Sequence, residues 1–426
     1  DEHSADAGMI TRIEAYLDSV KGRKSQQQKA EEVFRPQKMT ATPLKERILY
    51  FPYMHDGSHI IAAAARSVGI ESYSLPMQDN QDIELGRKYT SSRECFPMIC
   101  TTGSFLKKLS EPGIDPKKVS FFMPDHNGPC RFGQYNKLQK IIFERLGYKD
   151  VEIVSPSNDG SYEDIGPKFR VAAWKGFVAL DLLKKMANEK RPYEVHAGDT
   201  KKIYKKHLQR LIESTENGCK GIKSLLKEAG KEFQAVDLDK NKKKPVIAVV
   251  GEIFMRDNPH CSGYLVEKLE SLGAEVVMAP FSEWLVYSTY RYMRDSKWKK
   301  DRKGMVKAKI QQFSQDYISK QYTKVIEEYI DGDYEVPLKT MLDLCNKYIH
   351  QDYDGDPPIA IGTAMALAEK NISGIANILP FTCMPGTLIC AVSDTIRHDH
   401  NNLPWIDVAY DGQDDSGMET RLQAFM

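Results

Sequence analysis

The chain has 426 residues, and 60 Lys and Arg against 59 Asp and Glu leave a formal charge of +1, so overall charge gives no reason to expect nucleic acid as a partner. The apolar fraction of 41% and the charged fraction of 28% are ordinary for a globular chain long enough for two or three domains. The longest apolar runs, such as 245–250, are strand-sized and too short to cross a bilayer. Asp1-Glu2-His3-Ser4 has neither the basic nor the apolar region of a signal peptide. The expectation is a cytoplasmic protein with no membrane partner. The missing initiator Met reads as a trimmed or partial chain.

Residues 1–43 read as a peripheral segment, with an amphipathic helix over 9–20 and a polar, linker-like stretch over 21–38. A first α/β lobe, 44–165, opens with an apolar strand over 47–51. A helix over 58–68, strands over 71–75 and 119–123, a helix over 134–146 and a strand over 151–154 follow. The connecting region 166–240 reads as helical, with helices over 171–186 and 207–226 and a basic boundary at 240–244. The second lobe, 241–426, carries a strand over 246–250, a helix over 264–272 and a strand over 274–279. A charged helical insertion occupies about 284–350, and the sheet pattern resumes at 359–361, 375–379 and 406–409. Strands alternating with helices imply parallel sheets. The fold class expected is α/β: two Rossmann-like parallel-sheet lobes with helical insertions and a site in the cleft between them. In each lobe a strand ends in Pro before a Cys-bearing loop, at Met123-Pro124 and at Leu379-Pro380, a loose internal repeat.

Eight cysteines in a large chain without a secretory signal read as reduced thiols or ligands. Three of them stand in turn-like words that each open a helix. These are Cys95 in Arg93-Glu94-Cys95-Phe96-Pro97, Cys130 in Gly128-Pro129-Cys130-Arg131-Phe132-Gly133 and Cys383 in Thr382-Cys383-Met384-Pro385-Gly386. A helix start lowers a thiol's pKa and offers free backbone N–H groups to sulfur. Cys130 and Cys383 follow strands, placing them beyond the carboxyl ends of parallel sheets, where such folds build sites. Three thiolates suit iron–sulfur or zinc ligation, or the three are separate buried cysteines. Cys100 is either a fourth ligand or a core residue. Cys345 and Cys390 read as core, Cys219 as part of a helix-linking turn, and Cys261 as a second-lobe thiol that could line the cleft. Glu252, at the end of a strand, is a candidate acid/base or helix cap. Arg131 is a candidate for holding an anion or bonding a sulfide. His398 and His400 read as part of a solvated loop. No phosphate-binding GxxxxGK[ST] loop, dinucleotide GxGxxG turn, Gly-x-Ser-x-Gly elbow or HExxH word is present.

At these cysteines the chain resembles the activase-related family allied to the 2-hydroxyacyl-CoA dehydratases and benzoyl-CoA reductases. The resemblance covers about residues 43–426. It rests on the Cys95 and Cys130 words, on Thr101-Thr102-Gly103, Pro280-Phe281-Ser282-Glu283-Trp284 and Cys383-Met384-Pro385-Gly386-Thr387, and on the ending Thr420-Arg421-Leu422-Gln423-Ala424-Phe425-Met426. It implies an iron–sulfur protein in low-potential electron transfer, with Cys95, Cys130 and Cys383 holding a [4Fe–4S] cluster or, as in other relatives, a double cubane. Electrons would come from a separate ATP-hydrolysing activase, and the substrate would be an acyl-CoA or another small molecule. One position departs: the family carries a further cysteine three residues after that of Cys95, and here Met98 stands there. Either Cys100 replaces it or one iron site is open. The rival readings are a non-catalytic accessory or electron-relay subunit of a homo- or hetero-oligomer, and a structural zinc protein closed by Cys100. A substrate-sized cavity beside the thiols marks the enzyme; a flat apolar surface marks the relay.

Overall fold

Two runs of β-branched and aromatic residues, Ile48–Phe51 and Val246–Gly251, seed two separate parallel sheets. The computed structural model describes Ile13, Leu17 and residues 44–426, apart from 92, 127, 157–164, 240–242, 333–335, 371 and 413–415. The helix expected over 9–20 and the linker over 21–38 otherwise lie outside the described residues. Residues 42–426 form one compact unit.

The first lobe runs β1 (Ile48–Phe51), α1 (Gly57–Arg66), β2 (Ser72–Ser74), α2 (Asn80–Tyr89), α3 (Phe96–Leu109), β3 (Val119–Phe122), α4 (Tyr135–Arg145) and β4 (Glu152–Val154). Its sheet is parallel throughout, in the order β2-β1-β3-β4, with Leu49 opposite both Ser72 and Ser120. Every residue of β3 is buried, the pattern of a strand covered on both faces. The unanticipated α2 starts on a capping box between Asp79 and Asp82. It meets α3 backbone to backbone: a Cβ on Gly103 would stand 1.7 Å from the Asp82 carbonyl oxygen.

Three helices then join the lobes: α5 (Pro167–Lys190), α6 (Asp199–Glu216) and α7 (Ile222–Gln234). The single helix expected over 207–226 is therefore two. The chain turns at Gly218, Cys219 and Gly221, all left-handed (φ 77°, 65° and 78°), which a helix cannot contain.

The second lobe runs β5 (Val246–Gly251), α8 (Ile253–Asp257), α9 (Leu265–Ser271), β6 (Glu275–Met278), α10 (Phe281–Trp298), α11 (Arg302–Ile326), α12 (Leu338–Cys345), α13 (Pro357–Ala368), β7 (Gly374–Pro380), α14 (Met384–Asp399), β8 (Trp405–Tyr410) and α15 (Ser416–Phe425). Its sheet is also wholly parallel, in the order β6-β5-β7-β8, which repeats the first lobe's plan. The expected insertion is α10 to α12. The strand expected at Ile359-Ala360-Ile361 lies inside α13 instead. That helix is buried on nearly all sides, so it has no polar stripe to betray its period. Pro357 and Pro358 sit at its start, where proline fits.

In both sheets the first and third strands are neighbours, so the winding direction reverses between them. The crevice at such a switch point is where open α/β sheets bind ligands. The lobes are joined by an apolar core in which Ile83, Phe96, Ile99 and Cys100 of the first pack against Ile247, Val249, Met255 and Cys261 of the second. Among the described residues no helix is long and apolar enough to cross a membrane.

Candidate functional site

Cys95, Cys130 and Cys383 each stand at the N-cap of a helical segment: α3, the 3₁₀ turn Arg131–Gln134, and α14. Pro97 and Pro385 occupy the first helical turns beyond Cys95 and Cys383, where a missing N–H costs nothing. The helix starts do supply donors to sulfur. Cys130 Sγ accepts from the Phe132 N–H at 3.5 Å, and Cys383 Sγ accepts from the Gly386 N–H at 3.4 Å. Cys95 Sγ is hydrogen-bonded to the Tyr135 hydroxyl. Gly386 is required where α14 leaves β7, since a Cβ there would meet Leu379 Cδ1 at 2.7 Å.

All three thiols line one cavity of about 270 Å³. Its walls include the switch points of both sheets: Phe51, Pro52 and Phe122 from the first lobe, Glu252, Ile253 and Pro380 from the second. The loose repeat of strand, Pro and Cys-bearing loop thus places Cys130 and Cys383 at equivalent points of two facing lobes, and α3 brings Cys95 to them.

The electrostatics differ from the expectation. Burial outweighs the helix-end effect and pushes the Cys130 thiol up to about 12; the Cys95 and Cys383 thiols are raised as well, again chiefly by burial. Glu252 also lines the cavity as the N-cap of α8, accepting from the Phe254 and Met255 N–H groups at 3.1 and 2.9 Å. Burial, then the Asp356 carboxylate, pushes it up to about 8. Burial raises Asp356 to about 6, against the Arg256 guanidinium and hydrogen bonds from the Ile253 backbone and Trp284. Three thiols and two carboxyls therefore share an apolar cavity that favours their neutral forms. Only a group of positive charge would let the thiols ionise there.

A single metal ion needs donors at about 2.0–2.3 Å. Among the described residues no three His, Cys, Asp or Glu side chains gather tightly enough to hold one. Cys95, Cys130 and Cys383, from three helix starts around one cavity and each supplied with an N–H or O–H donor, are the residues that would hold an iron–sulfur group there.

Two expected participants lie elsewhere. Cys100 is fully buried in the core between the lobes, its Sγ 3.4 Å from Cys261 Sγ, and neither lines the cavity. Five residues along a helix turn a side chain well away from its starting face, so Cys100 points to the second sheet while Cys95 faces the cavity. Met98, the departure from the family pattern, is buried in the first lobe's core. Arg131 is exposed and donates to the Arg93 carbonyl at 2.8 Å, tying the Cys130 turn to the Cys95 segment without entering the cavity. Cys345 is buried as expected, donating to the Ile349 carbonyl at 3.4 Å. Cys219 sits in the turn between α6 and α7. Cys390 is only half-buried, beside Asn377. His398 is exposed, and neighbouring Asp399 accepts from the Tyr348 hydroxyl.

Asp356, Tyr135 and Trp284 were not singled out from the sequence as site residues. Gly355-Asp356-Pro357 has the form of a helix start, and Trp284 closes a word shared with the family, so a signal for each existed. Tyr135 closes the longer Cys130 word, Gly128-Pro129-Cys130-Arg131-Phe132-Gly133-Gln134-Tyr135, on which the resemblance also rests, so it carried the same kind of signal. The chain matches no protein-family model and no curated protein significantly.

Proposed function

We propose that this chain is an iron–sulfur protein that carries out reductive chemistry on a small molecule, fed one electron at a time by an ATP-hydrolysing activase. The supporting observation is that Cys95, Cys130 and Cys383 converge on one cavity at the switch points of both sheets. The resemblance to the 2-hydroxyacyl-CoA dehydratases and double-cubane reductases points the same way. A cavity of this size beside the thiols favours turnover over a pure relay, and Cys100, the fourth ligand of the zinc reading, lies outside it.

When bound, the cluster would supply low-potential electrons and an iron able to polarise a substrate oxygen. The chain's own residues do the rest. The Phe132 and Gly386 N–H groups and the Tyr135 hydroxyl stabilise thiolate charge. Glu252, buried and raised to about 8, holds a proton at neutral pH and can give it to a substrate leaving group or carbanion. Burial chiefly raises its proton affinity, and Asp356, hydrogen-bonded by Trp284, adds to that.

The test is iron and acid-labile sulfide content after strictly anaerobic purification, with EPR of the dithionite-reduced sample. About four irons and four sulfides per chain with a reduced-cluster signal support the reading, and about twice that number indicates a double cubane. Zinc, or no metal under those conditions, removes it.

A further inference from the structure

Beyond the thiols and carboxyls, the cavity wall is largely aromatic, with Phe51, Phe122, Phe169, Trp174, Phe177 and Phe281 along it. Helix α11 contributes two amides one turn apart, Gln311 and Gln315. Gln311 is satisfied: its Oε1 accepts from Arg170 Nη1 at 3.2 Å and its Nε2 donates to Thr289 Oγ1 at 2.9 Å. Gln315 is not. It is 6% exposed, and its Oε1 is buried with no hydrogen-bond partner. A buried amide oxygen without a partner is costly, and an apolar residue of similar size would remove the cost. Gln315 lines the cavity, so a turn of its side chain would bring the oxygen to a partner that enters with a ligand.

We propose that this wall is a ligand subsite, that Gln315 determines its specificity, and that it takes a flat, mostly apolar small molecule carrying an O–H or N–H donor. The aromatic faces suit a flat apolar body. The volume of about 270 Å³ is ample, since an apolar cavity of about 150 Å³ already holds benzene. The donor meets the Gln315 amide. The inference rests on the proposed function only in taking the cavity as the substrate's place; it does not need the cluster.

The experiment compares 4-methylphenol with toluene, molecules of nearly the same shape that differ in one O–H donor, binding to the anaerobically purified full chain by calorimetry. Wild type should bind 4-methylphenol about tenfold more tightly than toluene, the worth of one net hydrogen bond. Gln315→Leu should abolish that preference while keeping or improving toluene binding. Gln315→Met, which preserves length, serves as a second variant should the leucine variant fail to fold. Equal binding of the two probes to wild type, or binding of neither, overturns the assignment. Iron is measured on the same sample. Selectivity without iron leaves the subsite standing and removes the iron–sulfur reading, and iron without selectivity does the reverse.

Discussion

Cys100 Sγ and Cys261 Sγ lie 3.4 Å apart across the junction of the two lobes, one from each. Both are buried, at 0% and 2% exposure, within the core that joins α3 to the second sheet. This contact makes Cys100 part of the packed junction between lobes and separates it from the three thiols of the cavity. Cys100→Ser places a hydroxyl in an apolar junction and is expected to cost about 1–3 kcal/mol of stability. Urea unfolding measures it. Iron per folded chain should equal that of wild type; loss of iron in a fully folded Cys100→Ser protein would return Cys100 to the ligand set.

The converse holds for the cavity thiols. Cys130→Ser should abolish iron retention, because a serine hydroxyl does not replace a thiolate at iron. Cys345→Ser changes a core residue and should leave iron unchanged. Iron and sulfide analysis of the two variants, purified side by side without oxygen, decides the matter, and equal contents in both would sink the assignment.

How much of this was readable beforehand depended on what each signal rests on. The N-caps at Cys95, Cys130 and Cys383 are local, set by a following Pro or Gly and a helical pattern, and all three were legible. So were the strands of both sheets, but Ile359-Ala360-Ile361 was read as one more strand and lies in a helix. That run failed because a helix buried on nearly every side is apolar at every position, as a buried strand is. The direction of Cys100 was illegible because it depends on how α3 packs against a lobe more than 140 residues further along. Its position on a helix was visible; the other lobe's approach was not. The thiol pKa values failed for a related reason. A helix end is a property of the local chain, whereas burial is a property of the finished cavity, and burial dominates at Cys130, Cys95 and Cys383.

Tyr135 offers a test of how the thiols are held. Its hydroxyl bonds Cys95 Sγ inside the first lobe's core. Tyr135→Phe removes that hydroxyl and little else. The expected cost is about 1 kcal/mol in the metal-free protein, with faster loss of iron to a chelator from the loaded one. An unchanged rate of iron loss would show that the Tyr135 hydroxyl does not support a bound thiolate.

The α2–α3 crossing sets where Cys95 stands. Gly103 lets the two helices touch, and a Cβ there would lie 1.7 Å from the Asp82 carbonyl oxygen, a backbone atom that cannot swing aside. Gly103→Ala should therefore destabilise by about 3 kcal/mol, the upper end for overpacking, lowering the melting temperature and weakening iron retention together. A variant with wild-type melting would mean that α2 moves freely against α3.

Stability of the metal-free protein should report the proton on Glu252. Burial and Asp356 raise this carboxyl from its ordinary 4.5 to about 8. Across that window the folded chain keeps the proton and the unfolded chain loses it, so the folded state binds more protons and stability falls as pH rises. Below about pH 7 other groups intervene: Asp356 and Asp181, raised to about 6, and Glu283, raised to about 7, act with the same sign, and His55, lowered by burial to about 3, acts with the opposite one. Between about pH 6.5 and pH 8 Glu252 contributes the most of these, with a smaller part of the same sign from Glu283. At about 1.4 kcal/mol per pH unit the loss approaches 2 kcal/mol over that interval. Glu252→Gln keeps the neutral shape and has no proton to lose at this position, so its urea midpoint should fall markedly less than that of wild type over the same range, the remainder coming from Glu283. A wild-type midpoint that does not fall would mean that Glu252 ionises in the folded protein as readily as in the unfolded chain, and it could not then hold a proton for a substrate at neutral pH.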